Sequence, residues 1–506
     1  MKLSRLGFFY ILVLLILSLG GCTMVGPNFE PLETQLPETW DKDDQEIFKK
    51  TVSEKENIEW WKLFDDPVLN VLIKKAYEQN LSLRTAGLRI LEARARLGLV
   101  KGNIYPQTQQ MTGNLTTIGT TGPASDRNYN AASIGFDAAW EMDFWGKFRR
   151  AIESADASLL ADIASYDDVL VTLTAEVART YINIRTFEER IHLAKANGKI
   201  QEKALTLVIY QFEAGTVTEL DVLQAKTLLS TTLATIPNLQ SLLQQNRNGL
   251  AILLGTLPGN LQDFLDGEKK IPTVTTEIAV GIPADLLRRR PDIRRAELKA
   301  ATQSAQIGVA LTELYPSFTL FGSLGFSATD VANNNLGDIF DSNSFTYSFG
   351  PSFKWNLFNY GRIKNQVRIQ DARLEQLLTT YQDTVLNAAR EVEDSMTGLV
   401  FAQKEAEYLR QGVTTSGRSM ELSMLQYKEG LADYQRVLDS TRALTAKQDQ
   451  YAQIQGRIAT DFIGMYKALG GGWQIRLGKE YLPQEIKEKM EKRTDWGEML
   501  KNTSSE

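Results

Sequence analysis

The residues that carry most protein chemistry are nearly missing from this chain. Its 506 residues include one cysteine, Cys22, and one histidine, His192. A single cysteine leaves no internal disulfide, so stability must come from packing or assembly. A single histidine, inside a periodic helix, argues against a histidine-built metal centre or a Ser-His-Asp triad. There is no Walker A sequence and no GxGxxG. The 62 Asp and Glu residues show no recognisable catalytic pair, and the chain reads as no enzyme. An excess of basic residues is also lacking. With 56 Lys and Arg the formal charge is −6, which argues against a general nucleic-acid binder. Past the first 21 residues no run of about 20 apolar residues occurs, so no transmembrane helix is expected.

What is present begins with a processing signal. Lys2 and Arg5 precede an apolar run from Leu6 to Leu19 that ends in small residues. Residues 1–21 therefore read as a signal peptide. The junction Leu19-Gly20-Gly21-Cys22 has the form of a lipobox. It predicts N-acyl and diacylglycerol lipid (palmitate among the acyl chains) on Cys22, the only covalent group expected and no cofactor besides. Thr23 stands where an Asp would suggest inner-membrane retention, so the outer membrane is favoured. Residues 22–66 form the lipidated amino-terminal segment.

The rest of the chain is written twice. Trp140-Glu141-Met142-Asp143-Phe144-Trp145-Gly146-Lys147 returns as Trp355-Asn356-Leu357-Phe358-Asn359-Tyr360-Gly361-Arg362, a shift of 215 positions. Gln211 and Gly215 return as Gln426 and Gly430, and Leu254-Gly255 as Leu469-Gly470. Upstream, Tyr105-Pro106 pairs with Tyr315-Pro316 at a shift of 210. One structural unit is duplicated. Residues 67–255 are the first repeat, 256–282 an inter-repeat linker with Pro258 and Pro272, and 283–470 the second repeat. The charged tail 471–506 has no repeat partner and reads as an equatorial appendage or a partly disordered end.

Each repeat reads as helix, two strands, very long helix, turn, helix. The expected helices are 67–103, 146–212 and 219–254, then 283–314, 361–427 and 433–469. In the first long helix Leu159, Ile163, Tyr166, Leu170, Leu173, Val177 and Tyr181 step by four and three. Leu374, Leu378, Tyr381, Val385, Ala388, Val392 and Met396 repeat that stripe. It is the seam of a coiled-coil-like pair. About 66 helical residues at ~1.5 Å each make a rod of roughly 100 Å, longer than a globular domain needs. Pro237 should bend or end its helix locally.

The strands are expected at about 107–120, 131–143, 317–329 and 344–357. In the last, Phe345, Tyr347, Phe349, Pro351, Phe353 and Trp355 share one face, and Ser344, Thr346, Ser348, Gly350, Ser352 and Lys354 the other. In the second, Ile134, Phe136, Ala138, Trp140 and Met142 alternate with polar or small residues, Asp137 and Glu141 among them. Phe321 breaks the pattern of the third by falling on its polar face. Such strands suit a membrane barrel with apolar side chains outward. Four strands do not close a barrel around a pore, and an open sheet edge is not tolerated in lipid. The chain must therefore oligomerise, and the number of copies stays open at this point.

These residues resemble the outer-membrane efflux channel family (TolC/OprM/NodT-like), in particular its lipoprotein branch. The resemblance rests on Cys22-Thr23-Met24-Val25-Gly26-Pro27-Asn28-Phe29, on Trp60-Trp61-Lys62-Leu63-Phe64-Asp65-Asp66-Pro67, and on Arg288-Arg289-Arg290-Pro291-Asp292-Ile293-Arg294-Arg295. It covers Cys22 to about Trp473. It implies an α+β membrane protein, a homotrimer with a 12-stranded transmembrane β-barrel on a long periplasmic α-helical barrel. The partners implied are outer-membrane lipid, a periplasmic adaptor and an inner-membrane pump of the RND class, with multidrug resistance as the associated phenotype.

The resemblance also supplies site residues. The turns at Gly215 and Gly430 should form the periplasmic tip, where a glycine takes positive φ and reverses the chain. Gly215, Thr216, Val217, Gly430, Leu431 and Ala432 are then the adaptor-contacting tip. Tyr427, Asp221 and Asp439 match a periplasmic gate of tyrosine–aspartate contacts and an aspartate ring. Two departures stand out. A gate arginine of the family falls at Ala432, and a second ring aspartate falls at Arg436. The reading is an efflux duct for small molecules. Its rivals are the duct of a type I protein secretion system, a stand-alone porin, which leaves the long helices unexplained, and a periplasmic coiled-coil lipoprotein, which leaves the strands unexplained.

Overall fold

A computed structural model describes residues 24–31, 48–49, 58–120, 127–259, 261, 265, 270–274, 278–279, 289–331 and 335–500. Cys22, the signal segment and much of the linker lie outside the described residues. The chain divides into two compact units, one built from residues 1–33, 90–162 and 295–381, the other from 34–89, 163–294 and 382–506.

Eight helices of the described residues are labelled in chain order: α1 Pro67–Gln79, α2 Leu81–Gly102, α3 Lys147–Glu213, α4 Glu219–Leu253, α5 Pro291–Thr312, α6 Arg362–Lys428, α7 Tyr434–Ala468 and α8 Gln484–Glu491. The duplication is visible in their lengths. Helices α3 and α6 have 67 residues each, and α4 and α7 have 35 each. The four-and-three stripe is the buried one. Ile163, Tyr166, Leu170, Leu173, Val177 and Tyr181 are buried in α3, as are Tyr381, Val385, Ala388, Val392 and Met396 in α6. Leu159, Leu374 and Leu378, at the strand-proximal ends of those stripes, are only half-buried.

Within the first unit the strands β1 Thr108–Thr120, β2 Arg127–Met142, β3 Ser317–Thr329 and β4 Phe345–Lys354 form one antiparallel sheet in the order β1-β2-β3-β4. Each repeat supplies one hairpin, and the hairpins join through β2 and β3, with Ala131 opposite Thr329 and Met142 opposite Phe318. The outer edges of β1 and β4 have no strand beside them among the described residues. Phe321 is accommodated on the polar face because its cross-strand neighbours are Ala139 and Gly350. Strand β4 stops at Lys354 instead of 357. Its last partner is Ser317, and Pro316 before it has no N–H to extend the ladder.

The duplicated tryptophan motif pins the sheet to the helices that precede it. Trp140 Nε1 donates to the Ile104 carbonyl at 2.9 Å, and Trp355 Nε1 to the Leu314 carbonyl at 3.0 Å. Each acceptor directly precedes a Tyr-Pro pair, so the bond is made twice although the shift changes between its partners. Asp143 then caps α3, accepting from the amides of Phe148 at 3.0 Å and Arg149 at 3.1 Å.

In the second unit the Trp60-Trp61 motif is a core piece. Trp60 stacks on Tyr466 at 5.9 Å, and Phe64 meets Phe462 edge-on at 5.3 Å. Asp66 caps α1 through the amides of Val68 and Leu69 and accepts from the Tyr181 hydroxyl at 2.7 Å.

One further expectation is corrected. The single helix expected over 67–103 is two, α1 and α2, divided at Asn80. The Asn80 side chain accepts from the Leu83 amide at 2.9 Å and donates to the Leu253 carbonyl at 2.9 Å, so it starts α2 and satisfies the end of α4 together. Of the two outcomes expected at Pro237, a bend or an end, the end does not occur: α4 runs unbroken from Glu219 to Leu253. Pro237 and Leu233 lie on the exposed side, where water can satisfy the freed Leu233 carbonyl.

The tail, expected as an appendage or a partly disordered end, is packed through residue 500. Arg476 is buried in a bidentate pair with Asp167, Nη2 lying 2.9 Å from Oδ2. The Trp473 and Tyr481 rings flank its guanidinium at 5.5 and 5.4 Å. Tyr481 also packs edge-on against Tyr166 at 5.2 Å.

Removing one partner of a buried pair strands the other charge. Arg476→Ala should therefore destabilise the protein by about 3–5 kcal/mol. Arg418→Ala, which breaks an exposed pair with Glu421, should cost under ~1 kcal/mol. Thermal unfolding of the two purified variants checks the contrast.

Candidate functional site: the helical hairpin tips

The turns α3–α4 and α6–α7 are built alike because both follow a Gln-x-x-x-Gly segment. Gly215 and Gly430 have φ of 74° and 73°. The Thr216 amide reaches back to the Gln211 carbonyl at 2.9 Å, and the Leu431 amide to that of Gln426 at 2.8 Å. The glycine amides bond to Phe212 and Tyr427 at 2.9 and 3.1 Å. This is the Schellman pattern with glycine in the left-handed position. Both helix pairs therefore reverse within a few residues, and Gly215, Thr216, Gly430 and Leu431 are exposed, with Val217 and Ala432 half-buried.

The two tips differ in how the next helix begins. In the first, Thr218 caps α4 and Asp221 caps it reciprocally. The Asp221 carboxylate accepts from the Thr218 amide at 3.0 Å and from its hydroxyl at 2.8 Å, a capping box. In the second, Asp433 is the cap, accepting from the Arg436 amide at 3.3 Å. The acid has moved from the third helical position to the cap. Arg436 can therefore replace an aspartate without leaving that helix start uncapped.

Behind the tips lies one apolar cluster drawn from both hairpins. Val208, Ala225, Leu228, Tyr427, Tyr434, Val437 and Leu438 are buried in it, and Val217 and Val222 pack against it. The Tyr427 and Tyr434 rings meet edge-on at 5.4 Å. The Tyr427 hydroxyl is buried and has no hydrogen-bond partner among the described residues. Burial, the Asp221 carboxylate and Tyr434 push the Tyr427 phenol up to about 12. Tyr434 is likewise pushed up to about 12, mainly by burial. Both are neutral at physiological pH.

Of the three expected gate residues, Tyr427 is buried in this cluster, and Asp221 is near enough to raise its phenol without a direct bond. Asp439 is exposed on α7, accepts from Gln435 at 3.1 Å and lies 3.8 Å from Arg442. Sequence reasoning missed Tyr434, which has no counterpart in the first repeat, where position 219 is Glu. It also missed the capping box, although Thr218-Glu219-Leu220-Asp221 carries its spacing. Further along the second unit, a groove of about 550 Å³ opens between α3, α4 and α7. Asn197, Thr231, Thr235 and Arg442 line it, together with the Arg190–Asp449 ion pair at 2.7 Å.

A four-stranded sheet with aromatic faces, two duplicated long-helix hairpins and matched tips define a channel-forming class of outer-membrane protein. The comparisons agree. Residues 72–256 and 282–471 each match the family described as outer membrane efflux protein, and the chain belongs to that family. It is 31% identical over 427 residues to the pyoverdine export outer membrane protein OpmQ of Pseudomonas putida, covering 82% of this chain and 88% of that one. It is 30% identical over 459 residues to nodulation protein T of Rhizobium leguminosarum bv. viciae, covering 90% and 92%. Among solved structures, the outer-membrane channel OprN superposes with a TM-score of 0.83 at 31% identity, covering 89% of this chain and 99% of that one. The chain is thus an outer-membrane efflux channel component, a transporter and not an enzyme.

A side chain added at Gly430 would meet no atom within 4 Å, so any cost there comes from the backbone. Gly430→Val should cost roughly 1–2 kcal/mol and Gly430→Asn less, since asparagine tolerates positive φ. Hydrogen exchange at residues 425–435 should quicken in that order.

Proposed function

We propose that three copies of this chain close a 12-stranded barrel in the outer membrane and stack their helical hairpins into a periplasmic duct. The duct is the exit of a tripartite pump whose other members are a periplasmic adaptor and an inner-membrane RND-type transporter. The supporting observation is the sheet: four strands, both outer edges unpaired among the described residues, in a family of outer-membrane channels. Lipid on Cys22 tethers the amino terminus to the same membrane. Small molecules are the cargo, in keeping with relatives named for pyoverdine export and toluene efflux.

The tips close the duct and receive the adaptor. Gly215, Thr216, Val217, Gly430, Leu431 and Ala432 offer two similar but unequal docking points per chain. Leu220 and Leu431, 61% and 78% exposed, give the adaptor apolar purchase. Tyr427, Asp221 and Asp439 form the gate. The Tyr427 hydroxyl has no partner among the described residues, and a rearrangement of the tip on assembly would let it donate to a carboxylate of a neighbouring copy. Three copies of each aspartate around a narrow opening repel one another and favour cations. With Ala432 and Arg436 in place of the usual gate residues, this hydroxyl carries more of the closure.

A photo-crosslinker at Lys428, two residues before Gly430, should capture an RND-type adaptor in living cells. Capture of a secretion-type adaptor would move the cargo to protein, and capture of nothing would favour a stand-alone porin. Tyr427→Phe should change stability by less than ~0.5 kcal/mol, because no bond within the chain is lost, yet raise closed-state conductance in planar bilayers. Tyr427 stays protonated below its raised value. Its ionisation should therefore leave conductance unchanged between about pH 6 and pH 10.

A further inference from the structure

We propose that Arg150 is a positioning residue that docks the lipid-proximal strap, residues 24–28, onto the sheet rim and so fixes where the acylated amino terminus enters the membrane. This rests on the reading of Cys22 as the lipidated residue.

Amino-terminal ends fray unless something holds them. Here the hold is specific. Arg150 is 1% exposed, and each of its three guanidinium nitrogens donates a hydrogen bond. Nε donates to the Val25 carbonyl at 3.1 Å, and Nη2 to the Gly26 carbonyl at 3.0 Å and to Asn28 Oδ1 at 2.9 Å. Nη1 is neutralised by Glu153 at 2.7 Å. The Val25 amide donates to the Trp145 carbonyl at 3.1 Å. The strap is also shaped to its seat. Gly26 has φ of 98°, and a Cβ there would stand 2.5 Å from Gly308 Cα. A Cβ on Gly308 would in turn stand 2.8 Å from Arg150 Cγ, and one on Gly146 2.7 Å from Met24 Cγ. Three glycines thus clear the space in which strap, guanidinium and helix α5 meet.

The duplication provides an internal comparison. The second repeat builds an equivalent strand-to-helix junction at Gly361, but Asn365 stands where Arg150 does. A Cβ on Gly361 would meet only the Asn365 amide nitrogen, at 4.0 Å, and Phe358 and Tyr360 beside it are fully exposed. Among the described residues only the junction with the arginine carries a strap, so the clamp is not a by-product of the repeat.

The clamp sits on an aromatic band. Trp145 stacks on Tyr315 at 4.7 Å and donates to the Pro316 carbonyl at 2.8 Å, and Phe144 meets Phe318 at 5.1 Å. Such bands mark the membrane–water interface of barrels. Cys22 is two residues from Met24, so their Cα atoms are at most ~7 Å apart. The acyl chains therefore enter the bilayer at the level of that band. A swinging tether would keep the channel near the membrane, whereas a docked one sets lipid and barrel to one depth.

The test uses the full chain matured in the outer membrane, as wild type, Arg150→Ala and Gly26→Val. Gly26→Val blocks the strap while leaving Arg150 and the body intact, which covers the case of Arg150→Ala failing to fold. Cells are fed a diazirine-bearing fatty acid, and the mass of the amino-terminal peptide is read first. An unmodified Cys22 refutes the lipid reading itself. With Cys22 acylated, the wild type should show slow hydrogen exchange at the Val25 amide and acyl capture on peptides covering 140–148 and 315–321. In Gly26→Val, exchange should quicken and that capture fall, each on the order of tenfold or more. Equal exchange and equal capture in wild type and Gly26→Val would overturn the clamp.

Discussion

Hydrocarbon offers no partner to a backbone N–H or carbonyl, and the organisation of this molecule follows from that. One chain supplies four antiparallel strands and leaves the outer edges of β1 and β4 unpaired among the described residues. Each edge displays a row of donors and acceptors that lipid cannot satisfy. The fold is therefore incomplete as a single chain, and assembly is a condition of its stability in the membrane. The exposed aromatic face of β4, with Tyr347, Phe349 and Phe353 each at least 70% exposed, has the same meaning. It is a surface waiting for lipid, as the alternation of strand residues requires.

Repeated devices join the sheet to its neighbouring helices. The Trp140 and Trp355 indoles tie each hairpin to the helix before it, and Asp143 starts the long helix directly after it. Glycines do the corresponding work at the other ends of the long helices. Gly215 and Gly430 turn the long helices back on themselves, and Gly255 and Gly470, with φ of 66° and 69°, end the returning ones. Duplication makes the halves alike in length and departs from symmetry where a task is done once. Arg150 meets the amino-terminal strap, Tyr434 joins the tip cluster, and Arg476 seats a tail that the first repeat does not have.

Most of the architecture is legible in the sequence because its signals are periodic and repeated. The buried stripes of α3 and α6, the tip glycines and the strand alternation are all patterns that survive without neighbours. What escaped depends on contacts between distant residues. Asn80 divides a helix because Leu253, 173 positions away, presents a carbonyl to it. Pro237 does not end α4 because the carbonyl it frees lies on a wet face. The packing of the tail hangs on Asp167, 309 positions from Arg476. At the tip, the spacing exposed Gly215 and Gly430 but not Tyr434, whose role appears only when two hairpins pack together. Cys22, read from the lipobox, lies outside the described residues, and its lipid stays a proposal.

The central claim is that the sheet edges are satisfied by other copies of the same chain. Native mass spectrometry of the protein extracted from outer membranes in mild detergent addresses it directly. The account predicts an assembly of three chains that persists as detergent is stripped away. A monomer would contradict it, because the edges of β1 and β4 would stay unpaired; a dimer would keep that pairing but contradict the twelve-stranded barrel of three copies.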